Sequence, residues 1–306
     1  MEHLPYWFYD HLSDILSVAD MHTLANNFTA SECWKELWKK HANNRKQFSL
    51  GIYSDVDNLN ISFQHRLTTN GRTSFTLEEV EEKNKRRYIR IDSVFVNGCT
   101  SLPRAPWCDP KELSEILASA VPYMNPDCHF DFTGYSIWFR HTRADLMRHL
   151  KEVLFVGLAN VNFSSISLEF TGEESMNFLR KQISLGYLKK VDLQGTWPTI
   201  TNEVICDCIE HDRLISLKVD IITVAFELLT KLVMYWMRKD EKIVMKVKGN
   251  WDLDQTRKEN EVLDELFGPQ REKIHPRVPT RSATLAVDVA RRFGGHCKKV
   301  IDFRCE

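Results

Sequence analysis

The chain has 306 residues, 43% of them hydrophobic and 27% charged, with a formal net charge of −1. That length allows one large domain or two smaller ones around a sizeable core. The near-zero charge excludes a global pull toward nucleic acid or an anionic membrane. Eight cysteines, at 33, 99, 108, 128, 206, 208, 297 and 305, are too sparse for a small disulfide scaffold. The opening residues carry Glu2, Asp10 and Asp14 and do not read as a secretory signal. The expected compartment is cytoplasm and/or nucleus, with reduced thiols.

The first helix is expected behind Pro5, where a missing N–H costs nothing. Phe8, Leu12, Ile15 and Leu16 follow the spacing of one helical face. A second short helix is expected after Asp20 as N-cap, carrying Met21, Leu24 and Ala25. A third is expected after Thr29, because Thr29-Ala30-Ser31-Glu32 fits a capping box. Its apolar face is Cys33, Trp34, Leu37 and Trp38, and its basic end, Lys39 to Lys46, reads as solvated. Three short helices make a small core. Trp7, Phe8, Trp34 and Trp38 are therefore expected to stay partly exposed unless a partner or the rest of the chain covers them.

Residues 49–79 read as β structure. Leu59, Ile61, Phe63, His65 and Leu67 alternate with polar residues, and Asn70-Gly71 is a strong hairpin signal. Phe75 and Leu77 would lie on the return strand of a hairpin over 58–77. The charge run Glu78 to Arg90 mixes acids with Lys83, Lys85, Arg86, Arg87 and Arg90, which favours a self-neutralising face over a targeting or nucleic-acid patch. Strands are expected at Tyr88–Phe95 and near Phe130–Phe132. Helices are expected at Asp109–Val121, with Leu113, Ile116 and Leu117 on one face, and at Arg143–Lys151.

The pattern then becomes periodic. Phe163-x-x-Ile166-x-Leu168 recurs as Leu188-x-x-Val191-x-Leu193 and as Leu214-x-x-Leu217-x-Val219, at offsets of 25 and 26 residues. A weaker fourth copy has Met245 and Val247 with Lys242 in the first position. Helices fall between the strands, at Glu173–Leu185, Thr199–His211 and Thr223–Arg238. This period and spacing fit a leucine-rich-repeat-like solenoid arc, in which each strand–helix unit buries its apolar face only by stacking on a neighbour; the alternative is a generic α/β domain with alternating elements. The asparagine usual after the third leucine is absent. Ile221–Met237 is apolar but short, and Glu227 and Lys231 sit in it as a favourable i, i+4 pair, so it reads as an amphipathic helix rather than a membrane span. A mixed tail over about 250–306 would cap the arc. It holds a helix over Gln255–Phe267, a strand over Thr284–Val289, and a helical turn or loop at Ala290–Phe293.

Catalytic signatures are not found: there is no glycine-rich nucleotide loop, no His-Glu-x-x-His and no Gly-x-Ser-x-Gly. Cys206 and Cys208 read as buried thiols on a repeat helix, with a zinc site or a cysteine enzyme as the lesser alternatives. No cofactor or metal is expected.

Leu4-Pro5, then Leu12 with Ile15-Leu16, then Leu24, then Trp34 with Leu37, resembles the F-box. The whole arrangement is similar to the large nematode F-box-like family. That resemblance implies an α/β chain with an F-box-like three-helix module over 1–48 and a degenerate leucine-rich-repeat-like domain over 49–306. It implies a non-enzymatic, substrate-recognition subunit of a cullin–RING ubiquitin ligase. The small adaptor subunit of the ligase would dock on Leu4, Pro5, Phe8, Leu12, Ile15, Leu16, Leu24, Trp34 and Leu37. A protein substrate would bind strand positions Ser165, Ser167, Glu169, Lys190, Asp192, Gln194, Ser216, Lys218 and Asp220. The alternative is a repeat scaffold with a vestigial F-box whose helices fold back on the chain. Neither nucleic acid nor membrane is an expected partner.

Overall fold

A computed structural model describes residues 12, 16, 18–27, 32–54, 59–65, 74–84, 86–98, 107–133, 144–251, 267, 272–274, 276–278, 282–291 and 297–305. The fold is mixed α/β with mainly parallel strands. The chain forms two compact units, Met1–Phe163 and Ser164–Glu306. The boundary expected at 48/49 falls inside the first unit.

Among the described residues the first unit has helices α1 (Val18–Asn27) and α2 (Glu32–Asn44). Asp20 lies in the first turn of α1 rather than before it, where its charge suits the helix dipole. Met21, Ala25, Trp34, Leu37, Trp38 and Ala42 form one buried cluster, with Leu16 and Leu24 packed on it. Strands β1 (Lys46–Ser54), β2 (Leu59–His65), β3 (Ser74–Phe75), β4 (Ile89–Gly98), β5 (Trp107–Cys108) and β6 (Met124–Phe132) follow. Their order is β3-β2-β1-β4-β6, with β5 also on β2. β1, β4 and β6 run parallel, while β2 is antiparallel to β1, β3 and β5.

The expected hairpin is present as β2 with β3, Phe63 opposite Phe75, and its Asn70-Gly71 turn lies outside the described residues. Leu77 does not continue the return strand. It starts helix α3 (Leu77–Lys83), because Thr76 and Glu79 form a capping box and turn the chain at that point. The charge run neutralises itself in part: Arg86 pairs with Glu81 at 2.7 Å. Arg90 is buried and donates to the carbonyls of Arg87 and Ile89. Helix α4 (Pro110–Ala120) has Asp109 as N-cap, Glu112 closing the box and proline in its first turn. It packs with α5 (Ala144–Gly157). Phe130, Phe132, Phe155 and Phe163 cluster beside them, with Phe130–Phe163 at 5.3 Å and Phe132–Phe155 at 5.2 Å.

The second unit alternates strictly: β7 (Ser165–Glu169), α6 (Glu173–Leu185), β8 (Lys190–Trp197), α7 (Thr201–Glu210), β9 (Ser216–Thr223), α8 (Phe226–Arg238) and β10 (Val244–Trp251). The four strands are parallel neighbours in chain order. Their register places Ile166, Val191, Leu217 and Met245 in one row and Leu168, Leu193, Val219 and Val247 in the next. All eight are buried. The fourth copy shifts by one at its start: Lys242 is exposed and Ile243 takes the buried place.

Backbone bonds repeat with the same period. The Ser164 carbonyl accepts from the N–H groups of Lys189 and Lys190, and the Lys189 carbonyl accepts from Ile215 and Ser216. A buried Asn202 ties successive loops: its side-chain amide donates to the carbonyls of Thr199 and Thr223, and its oxygen accepts from the Ala225 N–H. An asparagine thus bridges repeats from the start of a helix instead of the end of a strand.

Helix α6 ends where Gly186 takes φ 73°, the left-handed cap that glycine adopts without steric cost. In β10, Gly249 admits close approach of the neighbouring strand, since a Cβ there would meet the Ile221 carbonyl oxygen at 2.3 Å. Of the stretch Ile221–Met237, the first three residues belong to β9, Val224 and Ala225 connect, and the residues from Phe226 on belong to α8. Glu227 pairs with Lys231 at 3.4 Å as expected. Among the described residues no helix is long and apolar enough to cross a membrane.

The tail extends this sheet with antiparallel strands. β11 (Glu272–Ile274), β12 (Ser282–Arg291) and β13 (Cys297–Cys305) give the order β10-β13-β12-β11. The strand expected at Thr284–Val289 is part of β12. Ala290 and Arg291 continue it, because each finds a partner in β13, where a turn was expected. Of the expected helix 255–267 only Phe267 is described, and it is buried against Phe303 at 6.1 Å.

Candidate functional site

Two regions hold the residues singled out from sequence. The first is the α1–α2 pair. Leu4, Pro5, Phe8 and Ile15 lie outside the described residues, as does Trp7. Leu12 is helical and half-buried, and its carbonyl accepts from the Leu16 N–H. Leu16 and Leu24 are half-buried on the edge of the cluster, where apolar surface remains.

Trp34 and Leu37 differ from expectation: they are 8% and 3% exposed, and Trp38 is buried with them. Their i, i+3, i+4 spacing puts all three on one face of α2, and α1 covers that face. At the end of α2 Lys39, Lys40, Asn43 and Asn44 are exposed as expected, but His41 and Arg45 are buried rather than solvated. His41 packs edge-on against Tyr88 at 5.4 Å, Arg87 reaches its Nε2 at 3.1 Å, and Arg45 donates to the Leu16 carbonyl. These contacts fasten the helical pair inside the first unit.

The second region is the open face of β7–β10. The apolar rows bury one face of the sheet, so the period of two sends the intervening residues to the other. Ser165, Ser167, Glu169, Asp192 and Ser216 are half-buried there, and Lys190, Gln194, Lys218 and Asp220 are exposed. All nine expected positions therefore fall on one polar face. A parallel sheet ordinarily has both faces covered. Here one is left accessible and hydrophilic.

The register aligns Ser167, Asp192, Lys218 and Lys246, and then Arg304 of β13, across five strands. Lys218 reaches Asp192 at 3.5 Å. At β8 the ladder slips between Leu193 and Thr196, so Gln194 and Gly195 bulge out of the pairing with β9. Sequence reading missed Lys246, Lys248 and Arg304 on this face. The first two alternate with Met245 and Val247 and could have been found from the fourth copy. Arg304 could not, because nothing local announces that β13 joins β10.

At the C-terminal ends of β7 and β8 a groove of about 380 Å³ is lined by Phe170, Met176, Pro198 and Ile200 together with the exposed Glu173, Asn177 and Arg180. Trp197 supports its floor: the buried indole donates to the Gln194 carbonyl at 3.0 Å and tilts against Phe170 at 5.2 Å. The groove holds no convergent buried polar groups of the kind that orient a small substrate.

Cys206 and Cys208 are both buried on α7. Burial pushes the Cys206 thiol up to about 11 and the Cys208 thiol up to about 12, away from the thiolate needed for nucleophilic attack. Among the described residues no three His, Cys, Asp or Glu side chains are grouped to hold a metal ion. Compared with family models, curated proteins and solved structures, the chain gives no match.

Proposed function

We propose that the chain is a substrate-recognition subunit of a cullin–RING ubiquitin ligase, with an F-box-like N-terminal module and a leucine-rich-repeat-like arc. The observation that carries this reading is the division of labour in the second unit. Four in-register strands bury one face under their own helices and leave the other polar and open. Such a surface suits extended contact with another protein, and catalysis is left to other subunits.

Docking of the small adaptor is assigned to the first helices. Leu4, Pro5, Phe8, Leu12, Ile15, Leu16 and Leu24 supply the contact surface. Trp34 and Leu37 support it from behind by holding α1 on α2. The test is the double substitution Leu4→Ala with Pro5→Ala in the full chain. It is expected to weaken adaptor binding about tenfold or more, as loss of a central anchor does, with the thermal midpoint of the second unit unchanged. Adaptor binding equal to that of the unaltered chain would remove the assigned surface.

One observation favours a second reading. Trp34 and Trp38 are buried within the unit, and His41 is held by Tyr88 and Arg87. A repeat scaffold whose first helices serve only its own core would show the same contacts. It would bind no adaptor.

A further inference from the structure

We infer that the chain pairs with a second copy of itself through α6, the two helices lying antiparallel about Asn177. The inference is independent of the ligase reading. It uses the helix side of the second unit and leaves the open sheet face free.

Helix α6 buries Met176, Phe178, Leu179, Gln182 and Ile183 against its own unit. Its exposed ridge carries Glu173, Glu174, Asn177, Arg180 and Lys181. The two acids stand in the first turn, and each has a base seven residues further on, with the uncharged Asn177 between. Seven residues make about two turns and 10 Å of helix. The acids and bases therefore share a side of α6, yet none has an opposite charge on the ridge at i, i+3 or i+4. Among the described residues Glu173, Arg180 and Lys181 make no ion pair.

The helix dipole accounts for the acids, but its effect falls off beyond the first and last turns. Arg180 and Lys181 precede the last turn, which holds no base. Other helices of this chain place opposite charges where they meet. Lys111 reaches Glu115 on α4 at 3.9 Å, and Lys231 reaches Glu227 on α8 at 3.4 Å. On α6 the complement of each charge lies out of reach within the helix and within reach of an antiparallel copy.

Turned about Asn177, a second α6 sets its Arg180 and Lys181 against Glu173 and Glu174 of the first. The two-fold axis repeats the contact at the other end. Such self-complementarity defines an isologous interface. A partner of uniform charge would meet repulsion at one end of the ridge. The groove supplies apolar surface beside the charges: Phe170, Pro198 and Ile200 share it with Glu173, Asn177 and Arg180, and Ile200 is 39% exposed. A copy seated on the ridge covers these side chains and the aliphatic stem of Arg180, an apolar patch with a polar rim.

Sedimentation of the purified full chain over a concentration series reads the pairing. A reversible monomer–dimer equilibrium is expected, weakening as salt is raised. Glu173→Lys with Glu174→Lys makes the ridge wholly basic, and Arg180→Glu with Lys181→Glu makes it wholly acidic. Each double variant should lose about tenfold or more in dimer affinity through like-charge contact. Mixed with each other, the two should form a heterodimer, and all four exchanges in one chain should restore the homodimer. Ile200→Ser should weaken the pair, whereas Lys190→Glu, on the open sheet face, should change it by less than about twofold. The mixture keeps the test decisive if a variant is less stable, since a misfolded chain gains no partner.

A chain that stays monomeric at every concentration would overturn the inference and leave the ridge to a different protein or to solvent. A dimer indifferent to both double variants, or two variants that fail to pair when mixed, would overturn it equally.

Discussion

The central strands of the two units handle their faces in opposite ways. In β1 and β4 both faces are buried. Phe48, Leu50, Ile52, Val94 and Val96 are enclosed, and so are Tyr53, Arg90 and Asp92. Ser93 donates to Ser49 across the pair at 2.7 Å, and Tyr53 meets Phe95 edge-on at 5.8 Å. In β8 and β9 only alternate residues are buried, and the rest form an accessible polar surface. The strands of the first unit use both faces to hold that unit together. Those of the second use one face for stability and keep the other available. Function is therefore sought on β7–β10 and on the first helices rather than within β1 and β4.

The sharpest way to break this comparison is to remove apolar bulk from the inner rows. Leu193→Ala is expected to cost about 2–5 kcal/mol, the range for a buried leucine that leaves a cavity. Urea denaturation measures the loss. Hydrogen exchange should show it as faster exchange across β7–β10, with α4 and α5 keeping their protection. A loss shared equally by both units would show that they do not act separately.

Gly249→Ala comes next. Its new Cβ would lie 2.3 Å from the Ile221 carbonyl oxygen and 2.6 Å from Val224, so the strand must move. The expected cost is about 1–3 kcal/mol. Gly157→Ala on α5 is the contrasting case, with nothing within 4 Å of the new atom. It should be stabilising by about 0.4–1 kcal/mol through the unfolded chain. Thermal midpoints of the pair should move in opposite directions.

Asn202→Ala leaves two carbonyls and one N–H without their side-chain partner between consecutive loops. A cost of about 1–3 kcal/mol is expected. Exchange should rise locally at Ala225. An unchanged Ala225 amide would show that the bridge does not hold the repeats in step.

The smallest effect belongs to the first unit. The Tyr123 hydroxyl donates to Glu81 at 2.6 Å, and Arg86 adds to it, so the Glu81 carboxyl is held below its usual 4.5. A depressed carboxylate adds stability above its unfolded value and loses it as pH falls through the lower folded value. Tyr123→Phe should therefore flatten the acid limb of the stability profile below pH 4.5 and leave neutral pH less stable. An acid limb identical to that of the unaltered protein would exclude this contribution.

Much of the second unit could be read from the sequence because its apolar spacing repeats. Ile166, Val191 and Leu217 announce one another, and the buried row follows from period alone. Helix α6 spans the expected Glu173–Leu185, with Glu173 and Glu174 in its first turn and Gly186 as its cap. What escaped was long-range. No local pattern says that β13 returns to pair with β10, so Arg304 stayed off the face it shares with Lys246. The asparagine bridge was sought after a strand and found at a helix start, since any position that reaches the next loop can do the work.

In the first unit the spacing of Leu113, Ile116 and Leu117 marked α4, to whose start the structure adds the Asp109–Glu112 capping box, yet Thr76 with Glu79 turned an expected strand into α3. Local capping decided that segment against alternation. The burial of Trp34, Trp38 and His41 followed from their neighbours α1 and Tyr88, which spacing within α2 does not reveal.

Whether the first helices serve a ligase is read by calorimetric titration of the small cullin–RING adaptor into the purified full chain. Saturable binding is expected, with a dissociation constant on the order of micromolar or tighter, about −8 kcal/mol. Absence of heat and of binding, with a cooperatively folded chain in the cell, would contradict it and leave a repeat scaffold whose first helices serve only their own core.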